Sequence, residues 1–158
     1  MRVMDHEFYT DNDERVRRWE ALRLMATDGS LLNLHHTKEL NECYGGTSNQ
    51  HGNRTVQARC SVLYDVPNNM VVDAVLAPFR QGERTLALSH LLHCAQGDLV
   101  IYDRGYPGFP LMQALQQRGV GFVMLCKHSF NKNVPAFTRS AEISSTLRMA
   151  PGHNTPII

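Results

Sequence analysis

Apolar and polar positions along the chain fall into short blocks whose periods give an order of elements. Leu22, Leu24 and Ala26 alternate with Arg23 and Met25, the two-residue period of a strand. The apolar pattern resumes at Leu31, Leu32 and Leu34. Asp28 shares the parity of Leu22, Leu24 and Ala26, so it projects from the same face of that strand. His35 to Gln57 is polar and rich in breakers, a loop with one short helical turn at Lys38 to Cys43. Ala58 to Asp65 and Met70 to Pro78 are β-rich and joined by the turn formers Val66-Pro67-Asn68-Asn69, an antiparallel hairpin. Between Glu83 and Ala95, the residues Leu88, Leu91, Leu92 and Ala95 form one helical stripe that Gly97 ends. Leu99 to Tyr102 is long enough for a buried strand and too short for a helix. It runs into Asp103-Arg104-Gly105-Tyr106. Leu111, Met112 and Leu115 mark a helix from Pro107 to Arg118, with Pro107 in its first turn and Gly119 as its stop. Gly121 to Cys126 is a last β run.

Composition narrows the class. With 158 residues, 42% hydrophobic and 20% charged, the chain can build one globular core. A formal charge of +1 gives no global argument for a nucleic-acid partner. No apolar run has the length of a membrane span, and Met1 to Glu20 is too charged for a secretory signal. Cys43, Cys60, Cys94 and Cys126 are dispersed without a CxxC pair, which suits a reduced cytoplasmic protein and argues against structural zinc. His35-His36 lacks carboxylate or thiolate neighbours and reads as exposed loop. Residues 1–18 are a polar lead-in with acids ahead of bases, residues 19–127 the folded core. Residues 128–158 are a tail in which Lys132, Arg139 and Arg148 face the single acid Glu142.

Two strand acids carry the chemistry. A crossover helix ahead of the Asp103 strand makes that strand parallel to an earlier one. Beside the Asp28 strand, with backbones about 4.8 Å apart, it would set two carboxylates at matching height. Such charges repel unless a cation lies between them, and hard oxygen ligands suit Mg²⁺ or Mn²⁺. Metals held in this way are a standard device for in-line attack on a phosphodiester. Each acid also has a plainer reading. Thr27-Asp28-Gly29-Ser30 has the composition of a hairpin turn, and Asp103 can cap the helix after it.

The pattern Trp19, Leu22-Arg23-Leu24, Asp28-Gly29-Ser30, Leu34, Thr37, Glu39, Tyr44-Gly45 and Asp103-Arg104-Gly105-Tyr106 resembles the DDE transposases of bacterial insertion sequences, in the group named after insertion sequence four. The likeness runs from Trp19 to Lys127. It implies an α/β fold, an RNase H-like mixed sheet with flanking helices, incomplete here at its C-terminus. It implies DNA cleavage and strand transfer at transposon ends, with Asp28 and Asp103 as catalytic, metal-binding carboxylates for Mg²⁺ or Mn²⁺. Arg104 and Tyr106, beside Asp103, would contact DNA phosphate or support the site, and Lys127 would contact DNA. The implied partners are double-stranded DNA, as transposon ends and target, and further copies of the chain in a transposition complex. The implied location is cytoplasmic and nucleoid-associated. The family's third carboxylate belongs to a Tyr-x₂-Arg-x₃-Glu-x₆-Lys pattern that this sequence does not match, so the expectation is a partial catalytic domain inactive alone. Two alternatives stand beside it. One is a metal-dependent nuclease completed by Asp65, Asp73 or Glu83. The other is a non-catalytic remnant that binds DNA or a full-length transposase.

Overall fold

A computed structural model describes residues 8–9, 14–48, 54–131 and 133–140. Its centre is β1 (Arg23–Asn33), which pairs antiparallel with β3 (Arg54–Asp65) on one side and parallel with β5 (Asp98–Tyr102) on the other. β4 (Met70–Pro78) returns antiparallel along β3, and β6 (Gly121–Met124) lies parallel to β5. The order across the sheet is therefore β4-β3-β1-β5-β6, and β2 (Gly46–Ser48) pairs with the first residues of β3. Helix α1 (Lys38–Tyr44) precedes β2 and is capped by Thr37, whose hydroxyl accepts from the Leu40 N–H. Helix α2 (Glu83–His90) is the crossover from β4 to β5, α3 (Phe109–Gln117) joins β5 to β6, and α4 (Asn133–Arg139) comes after β6.

The alternation of each strand sends one face into the core. Met25, Leu63, Val72, Val100 and Tyr102 pack there against Ala87, Leu91, Leu111 and Leu115 from the helical layer. The core uses the opposite parity of β1 from Leu24 and Ala26: Met25 and Thr27 are buried, whereas Asp28 is exposed. The Asp28 carboxylate thus keeps its hydration and escapes the desolvation cost that its apolar parity suggested. On that second face Leu76 is 53%, Ile101 39% and Val123 54% exposed, so the sheet is open there. No helix among the described residues is long and apolar enough to cross a membrane.

Several boundaries differ from the sequence reading, each for a local reason. β1 is unbroken through Thr27-Asp28-Gly29-Ser30 and stays paired as far as Asn33 opposite Gln57, which excludes the hairpin turn. β3 begins at Arg54, ahead of the apolar run, because β2 pairs with it. Gly46 makes that pairing close, since a Cβ on it would lie 2.1 Å from the Thr55 carbonyl oxygen. α2 tightens into a 3₁₀ turn over Leu91–His93, which changes the phase of its apolar stripe. Leu86, Ala87, His90 and Leu91 are buried and Leu92 is exposed. α3 starts at Phe109 with Gly108 at its N-cap and a proline, Pro110, in its first turn, so Pro107 lies ahead of the helix.

An ion pair fixes how β1 and β5 meet. Their first rung sets Arg23 opposite Asp98. Arg23 Nε donates to Asp98 Oδ1 at 2.8 Å and Nη2 to Oδ2 at 2.7 Å. The same Nη2 also reaches the His93 carbonyl at 2.8 Å, and the Ala95 N–H donates to Asp98 Oδ2 at 2.7 Å. Both side chains are largely withdrawn from water, 13% and 6% exposed. Removing one partner strands the other charge in the interior. Asp98→Ala should lower the unfolding free energy by about 3 kcal/mol, as read from urea denaturation. A loss under about 0.5 kcal/mol would mean that the pair does not hold the register.

Candidate active site

The parallel register runs from Arg23 opposite Asp98 to Thr27 opposite Tyr102. The next residue on β1 is Asp28 and the next after β5 is Asp103, so the pairing delivers both acids to the same end of adjacent strands, where the spacing is about 4.8 Å. Both are exposed. Asp28 Oδ1 accepts the Gly29 N–H at 2.8 Å, and Asp103 Oδ1 accepts the Gly105 N–H at 2.7 Å. Each carboxylate is thereby oriented by one backbone donor.

The first turn of α2 comes over this end of the sheet. Arg84 Nε donates to the Gly105 carbonyl at 3.1 Å and holds the loop after β5. The Tyr106 N–H donates back to the Asp103 carbonyl at 3.3 Å. A Cβ on Gly29 would lie 3.3 Å from Glu83 Cγ and 3.3 Å from the Tyr106 hydroxyl, so the missing side chain is what lets both approach β1. One on Gly105 would stand 3.2 Å from Asp103 Oδ1 and 3.4 Å from Glu83 Oε2. Glu83 Oε1 is held by Arg59 Nη1, from β3, at 2.5 Å. Among the described residues no three Asp, Glu, His or Cys side chains close on one point.

Tyr106 lies beneath these acids. Its ring packs 5.4 Å from that of Tyr102 and the residue is 1% exposed, which leaves no surface for a phosphate contact. Of the two roles weighed for it, support of the site fits this burial. Its hydroxyl is buried without a hydrogen-bond partner, an arrangement that costs about 1–3 kcal/mol. Burial first, then the charges of Glu83, Asp28 and Asp103, raise its pKa, and Arg59 opposes them. Three carboxylates and one guanidinium therefore converge electrostatically on one phenol.

The other candidates separate. Arg104 and Lys127 are exposed, Arg104 directly beside Asp103 and Lys127 just past the end of β6. Asp65 is buried opposite Met25 and bonds Tyr9 and Asn68. Asp73 bonds His90 Nδ1 at 2.7 Å. Of the three acids considered as a complement to the aspartates, Glu83 alone stands beside the Asp103 loop. Sequence reasoning missed Arg59, since a lone arginine within an apolar run carries no partner signal.

It also missed an interior relay. Ser61 Oγ lies 2.9 Å from His90 Nε2, and His90 Nδ1 lies on Asp73. The order is that of a hydrolytic triad, yet Ser61 and His90 are both 0% exposed. No substrate reaches them, and the relay instead ties α2 to β3 and β4.

Known proteins share features of this chain. A family model described as "Transposase DDE domain" matches residues 19–148. An Escherichia coli (strain K12) protein named "Putative transposase InsZ" is 31% identical over 103 residues, covering 64% of this chain and 34% of that protein. The chain thus spans about a third of that relative. A solved structure, "Cryo-EM structure of piggyBac transposase synaptic complex with hairpin DNA (SNHP)", superposes with a TM-score of 0.50 at 10% identity, over 78% of this chain and 27% of that one. At that identity the likeness concerns the fold, and it agrees with an RNase H-like α/β sheet.

The buried groups lend themselves to two measurements. Folded Tyr106 and Tyr102 both hold their protons more tightly than an unfolded tyrosine, chiefly through burial. The stability they contribute is whole below the unfolded pKa of about 10 and is lost as pH rises beyond it. Denaturant midpoints above that pH should fall less steeply in Tyr106→Phe than in the parent; an unchanged slope contradicts the assignment. His90→Ala, which empties a buried site and strands Ser61 and Asp73, should cost about 3 kcal/mol by urea unfolding. A cost near zero would show that the relay does not hold α2.

Proposed function

This chain belongs to the transposase DDE domain family, and from that premise we propose that Asp28 and Asp103 together hold a divalent cation, Mg²⁺ or Mn²⁺, for phosphodiester cleavage and strand transfer at transposon ends. The observation that carries this reading is the β1–β5 register, which brings two exposed acids to adjacent strand ends one residue past the last paired rung. The donor set fits such an ion: hard carboxylate oxygens, each fixed by a backbone N–H, above a buried hydroxyl that has no partner. What a bound cation supplies there is activation of the attacking water or 3′-hydroxyl and stabilisation of the leaving oxygen.

The chain's own residues do the positioning. The Gly29 and Gly105 N–H groups orient the two carboxylates, and Arg84 holds the loop that carries Asp103. Arg104 and Lys127 present exposed cations just past the C-terminal ends of the parallel strands β5 and β6. As phosphate contacts they position the duplex without reading its sequence. A DNA partner is in keeping with the transposase DDE domain family, and the piggyBac transposase of similar fold is seen in a synaptic complex with hairpin DNA. Assembly of several copies around two transposon ends is part of the same proposal.

Mn²⁺ titrated into the purified chain should bind, and Asp28→Asn and Asp103→Asn should each weaken binding by at least about tenfold. Binding that survives both substitutions would contradict the assignment. For the DNA contacts, Arg104→Ala and Lys127→Ala should each reduce the slope of log affinity against log salt by about 1. An unchanged slope would remove that residue from the interface.

A further inference from the structure

We propose that the depression between the end of α1 and the turn after β4 is a second DNA-backbone contact of this chain, with Arg54 and Arg80 as its cations. The inference rests on the reading of Asp28 and Asp103 as metal ligands for DNA cleavage and adds a surface to it. The depression has a volume of about 320 Å³ and opens to solvent between Tyr44, Gly45, Arg54, Phe79 and Arg80. Its walls are fixed from two sides. The Phe79 N–H donates to the Tyr44 carbonyl at 3.1 Å, and the Gln57 N–H donates to the Gly45 carbonyl at 3.1 Å. The end of α1 is thereby tied to β3 and to the turn after β4. Gly45 has a φ of +75°, and a Cβ on it would stand 3.3 Å from the Phe79 ring. Glycine is what lets the bend and the ring meet so closely.

Charge points to the occupant. Arg54 and Arg80 are both exposed, and among the described residues no carboxylate pairs with either. Arg80 carries its guanidinium 5.5 Å from the centre of the Phe79 ring, which orders the cation without neutralising it. Glu42 also lines the depression, but it is 65% exposed and its Oε1 lies 4.0 Å from Lys38 Nζ, which offsets its charge. Two guanidiniums on one depression suit the phosphates of a nucleic-acid strand. Position points the same way. Asp28 is opposite Val62 on β3, and Val62 is opposite Ala74 on β4. Pro78, in the wall of the depression, lies further along β4 and two strands from Asp28, roughly 16 Å away. That is the length of about five base pairs. Arg104 and Lys127 stand on the other side of the acids, at β5 and β6 in the order β4-β3-β1-β5-β6. A duplex crossing the sheet between the two groups of cations lays a phosphodiester on the Asp28–Asp103 pair.

Fluorescence anisotropy of a labelled duplex of about 20 base pairs, titrated with the purified chain at several salt concentrations, tests this contact, with melting curves as the folding control. Arg54→Gln and Arg80→Gln should each reduce the slope of log affinity against log salt by about 1, and the double variant by about 2. Phe79→Leu should weaken binding by about threefold and leave the slope unchanged, because it removes the ordering of Arg80 and no charge. A parent-like slope in the double variant, alongside a reduced slope in Arg104→Ala and Lys127→Ala, overturns the inference and leaves the proposed function standing. If the double variant does not fold, Arg80→Glu should lower affinity more than Arg80→Gln does, and equal affinity overturns the contact. Absence of duplex binding by the parent chain at low salt overturns this contact and those of Arg104 and Lys127 together, while Mn²⁺ binding tests the aspartate pair apart from them.

Discussion

The parallel register of β1 and β5 is the constraint on which the site depends. It starts at Arg23 opposite Asp98, joined through two charge-assisted hydrogen bonds. Five rungs bring each strand to the edge of the pairing, and the next residue on each is an aspartate. A slip of one residue would send every side chain of β5 to the other face, moving Val100 and Tyr102 out of the core and separating Asp103 from Asp28. One buried ion pair at the foot of two strands therefore sets the geometry of two exposed acids at their head. The stabilising ion pair and the proposed metal ligands lie at opposite ends of the same two strands.

The helical layer brings further side chains over that edge. The α2 crossover must return above the sheet for β5 to lie parallel to β1, and this brings its first turn over the strand ends. Glu83 and Arg84 arrive there together, the first against Gly29 and Gly105 and the second on the Gly105 carbonyl. The other end of α2 is anchored by His90 between Ser61 and Asp73. A helix of eight residues is too short to be stable alone, so these anchors place its N-terminus. The charge around Tyr106 is a consequence of that placement.

Much of this was legible in the residues. The alternation at Leu22 to Ala26, the turn residues between Asp65 and Met70, and the short apolar run before Asp103 gave the strands and their sequence. The crossover rule then made β5 parallel to β1. Hidden from the sequence was whatever depends on partners distant along the chain. Parity alone could not say which face of β1 is buried, because Leu24 and Ala26 look more like core than Thr27 does, yet α2 packs on the side of Thr27. The phase of the α2 stripe was equally out of reach, because a 3₁₀ turn at Leu91 rotates Leu92 and His93 away from the helical period. Arg23 with Asp98, Arg59 with Glu83, and Ser61 with His90 and Asp73 span 17 to 75 positions. No local pattern announces such pairs.

The central claim is that one register presents Asp28 and Asp103 to a shared cation. Crystals of this chain grown with Mn²⁺, and anomalous diffraction recorded at the manganese edge, test it most directly. The account predicts an anomalous peak within about 2.2 Å of an oxygen from each aspartate. A peak bound by only one of them, or none at saturating Mn²⁺, would contradict it.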